Sequence, residues 1–297
     1  MKRKILFRGT GTALVTPFTS TGSVDERALR RLVDFQIRNH VEALLPTGTT
    51  GESVTLSESE QVRVVEIVLD QARGRVKVFA GAGSNSTGKA LVLSKRMDSL
   101  GVDGILSVAP YYNKPTQEGF YQHYAAIAAA VDAPIIMYNV PGRTSSNMEA
   151  GTTLRIAEEI PSIAGIKEAS GNFVQIMEIL RHRPQGFGVW SGDDAITLPM
   201  IALGADGIVS VVANEVPKMF SDMVRLCLNG KFAQAVVLHN RLLDLMNINF
   251  IESNPIPVKA AVAMMGLIRE EYRLPLVPMG SKHRQKLRAV LRQLRLV

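Results

Sequence analysis

One cysteine, Cys227, in 297 residues excludes an internal disulfide and fits a reducing compartment. Histidine is also scarce. His40, His123, His182, His239 and His283 are scattered through helical patterns without metal-ligand spacing, so solvated or packed roles are expected and no metal site is. Long apolar runs are missing. The opening MKRKILFR offers only Ile5, Leu6 and Phe7 between basic residues, far short of a secretory segment or a membrane span, and the chain reads as cytoplasmic with no membrane association. Acidic residues are absent from both ends: residues 1–8 carry four Lys/Arg and residues 281–297 carry six. Without those ten, the 34 basic residues fall to 24 against 27 acidic ones, so the net charge of +7 is terminal. It describes a solvated last helix rather than a nucleic-acid face, and no nucleic-acid partner is expected. The dinucleotide fingerprint is missing too, because Gly9-Thr10-Gly11 runs into Leu14 instead of a third glycine.

What is present is alternation. Eight short apolar or β-branched runs occur at 11–18, 41–48, 76–83, 104–112, 133–141, 163–170, 187–194 and 207–214. Amphipathic helical patterns separate them, among them 24–40, 57–74 and 116–132, the second opening on the capping box Ser57-Glu58-Ser59-Glu60. Alternating strands and helices with connections of this length imply right-handed crossovers and a parallel sheet, and eight units favour closure into a (β/α)8 TIM barrel. No linker or repeat divides the chain. Residues 1–225 read as the barrel and 226–297 as a C-terminal helical extension of the same folding unit.

In such barrels chemistry sits where the strands end. Those ends carry Thr49-Thr50, Tyr111-Tyr112, Tyr138, Lys167-Glu168, Asp193-Asp194 and Ser210, a rim of hydroxyls and one lysine. Lys167 closes an apolar strand, where a long cation needs a reason. Strand alternation turns Glu168 toward the helical layer if Lys167 faces the axis, so Glu168 is not its closest partner. An amine there can attack a carbonyl to form a Schiff base, but only when neutral. At the reference pKa about one lysine in 2,500 is neutral at pH 7, whereas a value lowered to about 8 makes that about a tenth. Gly165 and Ala169 leave room for a ligand and offer no counter-ion.

GTTGES (48–53) has the glycines, amides and hydroxyls of an anion cradle, although a plain strand-to-helix turn has the same composition. Tyrosines 111, 112 and 138 suit packing or proton transfer, and the Arg143 fork suits a carboxylate if it is not simply exposed. GSNSTGKA (83–90) nearly matches a phosphate loop, but Ala90 replaces the metal-holding hydroxyl, so it is read as a helix start with an exposed Lys89. Asp193-Asp194 is read as a helix N-cap rather than a metal site.

GTTGES, PYYNKP, YNVPGRT, GIKEASGN, SGDDA, GIVSV and NPIPVK, in this order over residues 9–297, resemble the 4-hydroxy-tetrahydrodipicolinate (dihydrodipicolinate) synthase family of pyruvate-dependent, class I aldolase-like barrels. The resemblance implies a Schiff base between Lys167 and pyruvate, enamine attack on L-aspartate 4-semialdehyde, and no cofactor. It assigns proton donation to Tyr138 and the rest of a relay to Thr49 and Tyr112, with Tyr112 reaching across a tight dimer interface. Thr50 and Val209 fall at pyruvate-contacting positions, Val209 where isoleucine is frequent, and Arg143 at the position that holds the semialdehyde's carboxylate. A homotetramer of two tight dimers is implied. Three alternatives stay open: a lyase of N-acetylneuraminate or 2-keto-3-deoxy sugar acids using the same lysine, a pyridoxal-phosphate barrel, and a silent ligand-binding barrel.

Members of that family inhibited by lysine bind it at the tight dimer interface, and the matching positions here are Glu58, Gln61 and Lys89. The Lys89 cation repels the ligand's ammonium. Steady-state turnover is therefore expected to respond weakly or not at all to sub-millimolar lysine, and strong inhibition in that range refutes the reading.

Overall fold

The eight apolar or β-branched runs become eight strands in a computed structural model of the chain, which describes residues 4–297. They are β1 (Gly9–Ala13), β2 (Ala43–Leu45), β3 (Lys77–Gly81), β4 (Gly104–Val108), β5 (Ile135–Asn139), β6 (Ile163–Glu168), β7 (Gly188–Ser191) and β8 (Gly207–Ser210). Each pairs in parallel with its sequence neighbours, and β8 returns to β1 to close the barrel. Most of the apolar runs extend past the C-terminal ends of the strands they contain. β2 stops at Leu45 because Pro46 has no N–H for the ladder and Thr47 turns left-handed at φ +55°. β8 stops at Ser210 because Val212–Asn214 coil into a 3₁₀ turn. These surplus residues build the rim.

The barrel interior is filled from below by Phe7, Phe79, Leu45, Leu106, Ile136 and Trp190. Phe7 stacks on Trp190 with ring centroids 4.9 Å apart, and the indole Nε1–H donates to the Phe7 carbonyl at 3.2 Å. Two glycines are spent on that indole: a Cβ on Gly188 lies 2.2 Å from the ring, and one on Gly165 lies 2.3 Å from the Gly188 carbonyl. Gly165 therefore makes room for Trp190, not for a ligand beside Lys167, contrary to the sequence expectation.

Outside the barrel, helices turn their apolar stripes inward from well-marked starts. Glu58–Ala72 begins with both halves of the Ser57/Glu60 capping box, and Thr87–Ser99 is capped by Ser86, in agreement with the helix-start reading of GSNSTGKA. Helix Pro217–Leu228 completes the eighth unit and runs through residue 225. Helices Phe232–Ile248, Ile256–Met264 and Ser281–Gln293 follow. Leu242, Leu245, Leu287 and Leu291 join the same apolar cluster as Ile166 and Val189 of the barrel wall. The last helix buries Leu287 and Leu291 and exposes Lys282, Lys286, Arg288 and Arg292. No helix among the described residues is long and apolar enough to cross a membrane.

The extension is pinned to the rim by charge. Lys259 of helix Ile256–Met264 donates to Glu52 in the loop after β2, both side chains being fully buried. Its Nζ also lies 4.2 Å above the Phe18 ring. Removing one partner leaves the other charge stranded in a dry interior. Lys259→Met is accordingly expected to lower unfolding free energy by about 3–5 kcal/mol, and Glu52→Gln combined with it to restore much of the loss. Urea denaturation of both variants measures this; equal stabilities of single and double variants contradict it.

Candidate active site

Lys167 sits one residue before the end of β6, in register with Tyr138 of β5 on one side and Trp190 of β7 on the other. It is only 5% exposed. Its Nζ lies 4.1 Å from the Tyr138 ring centroid, over the electron-rich face. Burial drives its pKa from the usual lysine range down to about 7; the Asp194 carboxylate resists the fall and Arg143 adds to it. The next residue points the other way. Glu168 accepts from Asn139 Nδ2 at 3.1 Å, from the Ser170 N–H at 2.6 Å and from Gln175 Nε2 at 3.3 Å, on the side of helix Phe173–His182. Alternation along β6 thus gives the lysine to the barrel mouth and the carboxylate to the helical layer.

Tyr138 is 6% exposed, and burial pushes its phenol up to about 12 while Arg143 and a hydrogen bond with Thr49 pull it down. Thr49 is half-buried on the GTTGES turn. That turn needs Gly51, where a Cβ approaches the Leu14 carbonyl to 3.0 Å and the Thr47 nitrogen to 3.1 Å. The Thr50 hydroxyl is buried and accepts from Asn254 Nδ2 at 3.1 Å, and the Asn254 carbonyl accepts from Arg143 Nη2 at 3.1 Å. Asn254 thereby ties the cradle to the arginine. Val209 is fully buried within the barrel, in the cluster that holds Tyr138.

A cavity of about 520 Å³ opens beside Thr49, Tyr138 and Arg143 and continues to Glu58, Gln61 and Lys89. Tyr111 lines it. Tyr112 does not join the cluster: its left-handed backbone, φ +72°, throws the ring outward and leaves it 88% exposed.

The Asp193-Asp194 pair departs from expectation. Helix Thr197–Ala202 starts after Ile196 with no side-chain cap. The Asp193 carboxylate accepts from the Ala195 N–H at 2.9 Å within the turn. Asp194 is buried and accepts from Ser210 Oγ and from the Val211 and Val212 N–H groups, so it serves the β8 loop instead of a helix end. Its donors lie 16–18 positions away, a spacing that the local cap pattern does not register. Asn254 and the Lys259–Glu52 pair also had no assigned role in the sequence; their only signals were the motifs NPIPVK, for Asn254 and Lys259, and GTTGES, for Glu52. His123 packs against Thr87 Oγ1 at 3.0 Å. Among the described residues no group of three His, Cys, Asp or Glu is placed to hold a metal.

The arrangement is a desolvated primary amine under a phenol, with a threonine bonded to that phenol and a guanidinium at the mouth. Such a set forms imines with small keto acids and moves protons over them. The sequence matches the model of the dihydrodipicolinate synthetase family over residues 6–294. A relative from Chloroherpeton thalassium, named 4-hydroxy-tetrahydrodipicolinate synthase, is 55% identical over 297 residues, covering all of this chain and 98% of its own. The fold superimposes on dihydrodipicolinate synthase from Thermotoga maritima with a TM-score of 0.96 at 45% identity, covering 98% and 100% of the two chains. It matches the Acinetobacter baumannii enzyme, solved in complex with pyruvate, with a TM-score of 0.96 at 43% identity and the same coverage. With the motifs, the closed barrel and whole-chain likeness all in agreement, this chain belongs to the dihydrodipicolinate synthetase family.

Proposed function

We propose that Lys167 is the Schiff-base residue with which this chain condenses pyruvate and L-aspartate 4-semialdehyde into 4-hydroxy-tetrahydrodipicolinate, the reaction of its named relatives, in the biosynthesis of diaminopimelate and lysine. One observation carries the reading. Among the described residues two lysines are deeply buried; Lys259 donates to a buried carboxylate, whereas Lys167 faces a ring and no hydrogen-bonded anion. At a pKa of about 7, about half of the Lys167 amines are neutral at pH 7. That form attacks the pyruvate ketone. Loss of water with uptake of one proton gives the iminium, which draws electrons from the methyl carbon so that a proton leaves and an enamine forms. The enamine carbon bonds to the aldehyde carbon of the semialdehyde. The semialdehyde's own amine then attacks the imine carbon, closing the ring and expelling Lys167.

Each addition and elimination moves a proton. Tyr138, bonded to Thr49 and lying over the amine, is positioned to donate and receive them. Tyr112 completes the relay in the site of a neighbouring copy, a role supported by its outward projection, and the assembly is read as a homotetramer of two such dimers. Thr50 and Val209 flank the pyruvate position. Arg143 takes the semialdehyde's carboxylate through the part of its fork not committed to Asn254. No cofactor enters these steps. Residues 226–297 act as one folding unit with 1–225, a reading supported by the shared apolar cluster and the Lys259–Glu52 pair. The unpaired, buried Cys227 supports the cytoplasm as the compartment.

Borohydride reduction in the presence of pyruvate is expected to fix the adduct on Lys167, located by mass spectrometry of digests. Label elsewhere, or none, eliminates the mechanism. Tyr138→Phe keeps the ring over the amine but removes its proton, so kcat is expected to fall by about 10²-fold or more while trapping with pyruvate persists; undiminished kcat removes Tyr138 from the relay.

A further inference from the structure

We propose that Asp194 is a positioning residue for the Schiff-base lysine: it clasps the turn after β7 to the end of β8 beside Lys167 and supplies the negative charge against which the protonated imine forms. This rests on the assignment of Lys167 as the residue that binds pyruvate.

The turn after β7 lies directly on the lysine. The Gly192 N–H donates to the Glu168 carbonyl at 2.8 Å, and a Cβ on Gly192 would stand 3.0 Å from Lys167 Cε and 2.6 Å from Ala169 Cβ. Any side chain there displaces the amine's stem. Two residues on, Asp194 is 1% exposed. Ser210 Oγ–H donates to Oδ1 at 2.5 Å, and the Val211 and Val212 N–H groups donate to Oδ2 at 3.1 and 3.2 Å. Ser210 Oγ is itself held by the Ala213 N–H at 2.9 Å. Three donors on one buried carboxylate fix its position between the turn after β7 and the end of β8.

The chemistry asks opposite things of one nitrogen. Attack requires a neutral amine, which burial favours; the electron sink requires a protonated imine, which burial opposes. A nearby fixed anion restores the second without abolishing the first. The charged groups around Lys167 are Asp194, which favours its cationic form, and Arg143, which opposes it, while Glu168 is turned to the helices. Burial, with a smaller push from Asp193 on the same turn, raises the Asp194 pKa to about 6 against the lowering by Ser210 and the two amides. Glu215, beyond the β8 turn and bonded to Asn249, is pushed well above the usual carboxylate range by burial, and Asp194 adds to the rise. Asp194 is therefore mostly ionised at pH 7 and loses its charge as the pH falls through about 6.

The test follows the rate of borohydride trapping with pyruvate against pH, together with turnover on both substrates. In Asp194→Asn the amine loses its anion, so the trapping midpoint is expected about one pH unit lower than in the wild type and turnover more than ten-fold lower. An unshifted or raised midpoint overturns the proposal whatever the turnover, because looser packing alone rehydrates the amine and moves the midpoint upward. Ser210→Ala keeps the carboxylate but removes a bond that lowers its pKa. Its turnover relative to wild type is expected to be lower at pH 6 than at pH 8, and an equal ratio at the two pH values overturns the proposal even where Asp194→Asn does not fold. Wild-type protein that takes no label at Lys167 defeats the underlying assignment, and the proposal with it.

Discussion

Desolvation of one amine organises the mouth of this barrel. A lysine side chain in water holds its proton about three units above neutrality, and the fold removes that advantage by surrounding Lys167 with strand backbone, the Tyr138 ring and a glycine turn. Everything else at the rim answers to that burial. Tyr138 is dry because it covers the amine, and its phenol holds its proton more tightly for the same reason. Gly192 is small because the lysine stem occupies the place of its side chain. Asp194 keeps a charge nearby by gathering three donors from the β8 loop.

Lys259 shows what the same fold does with a lysine it wants inert. It is as deeply buried, and aromatic rings lie near its Nζ as well, yet Glu52 meets it directly. Both ions are then tied to one another and their cost is shared. The difference between the two buried lysines is a directly bonded carboxylate, delivered to Lys259 by the left-handed Glu52 at φ +54° in the loop that also carries Thr49 and Thr50. The GTTGES segment thus faces two ways: its hydroxyls serve the mouth and its glutamate serves the C-terminal helices.

Much of this was legible in the residue order. The eight strands follow from short apolar runs, the opposite facing of Lys167 and Glu168 from period-two alternation, and the capping box at Ser57 from local pattern. Strand ends were less so, because an apolar residue on the rim loops reads the same as one in the ladder; Val211–Asn214 are as buried as β8 itself. What local pattern misses is partnership at a distance. Asn254 finds Thr50, and Lys259 finds Glu52, across 204 and 207 positions. Gly165 was assigned to the wrong neighbour because the volume it spares belongs to Trp190, which lies on the adjacent strand. Tyr112 sits one residue from the cavity-lining Tyr111, and only the sign of a backbone angle separates their destinations.

The aromatic stack of Phe7 on Trp190 seals the barrel at its lower end. The cavity beside Thr49, Tyr138 and Arg143 lies at the other end. In the proposed reaction the water expelled as the imine forms leaves through the mouth by which the semialdehyde enters, and that larger second substrate, once seated on Arg143, stands in the way of anything arriving behind it. The proposed reaction thus has a shared mouth that favours the small keto acid entering first.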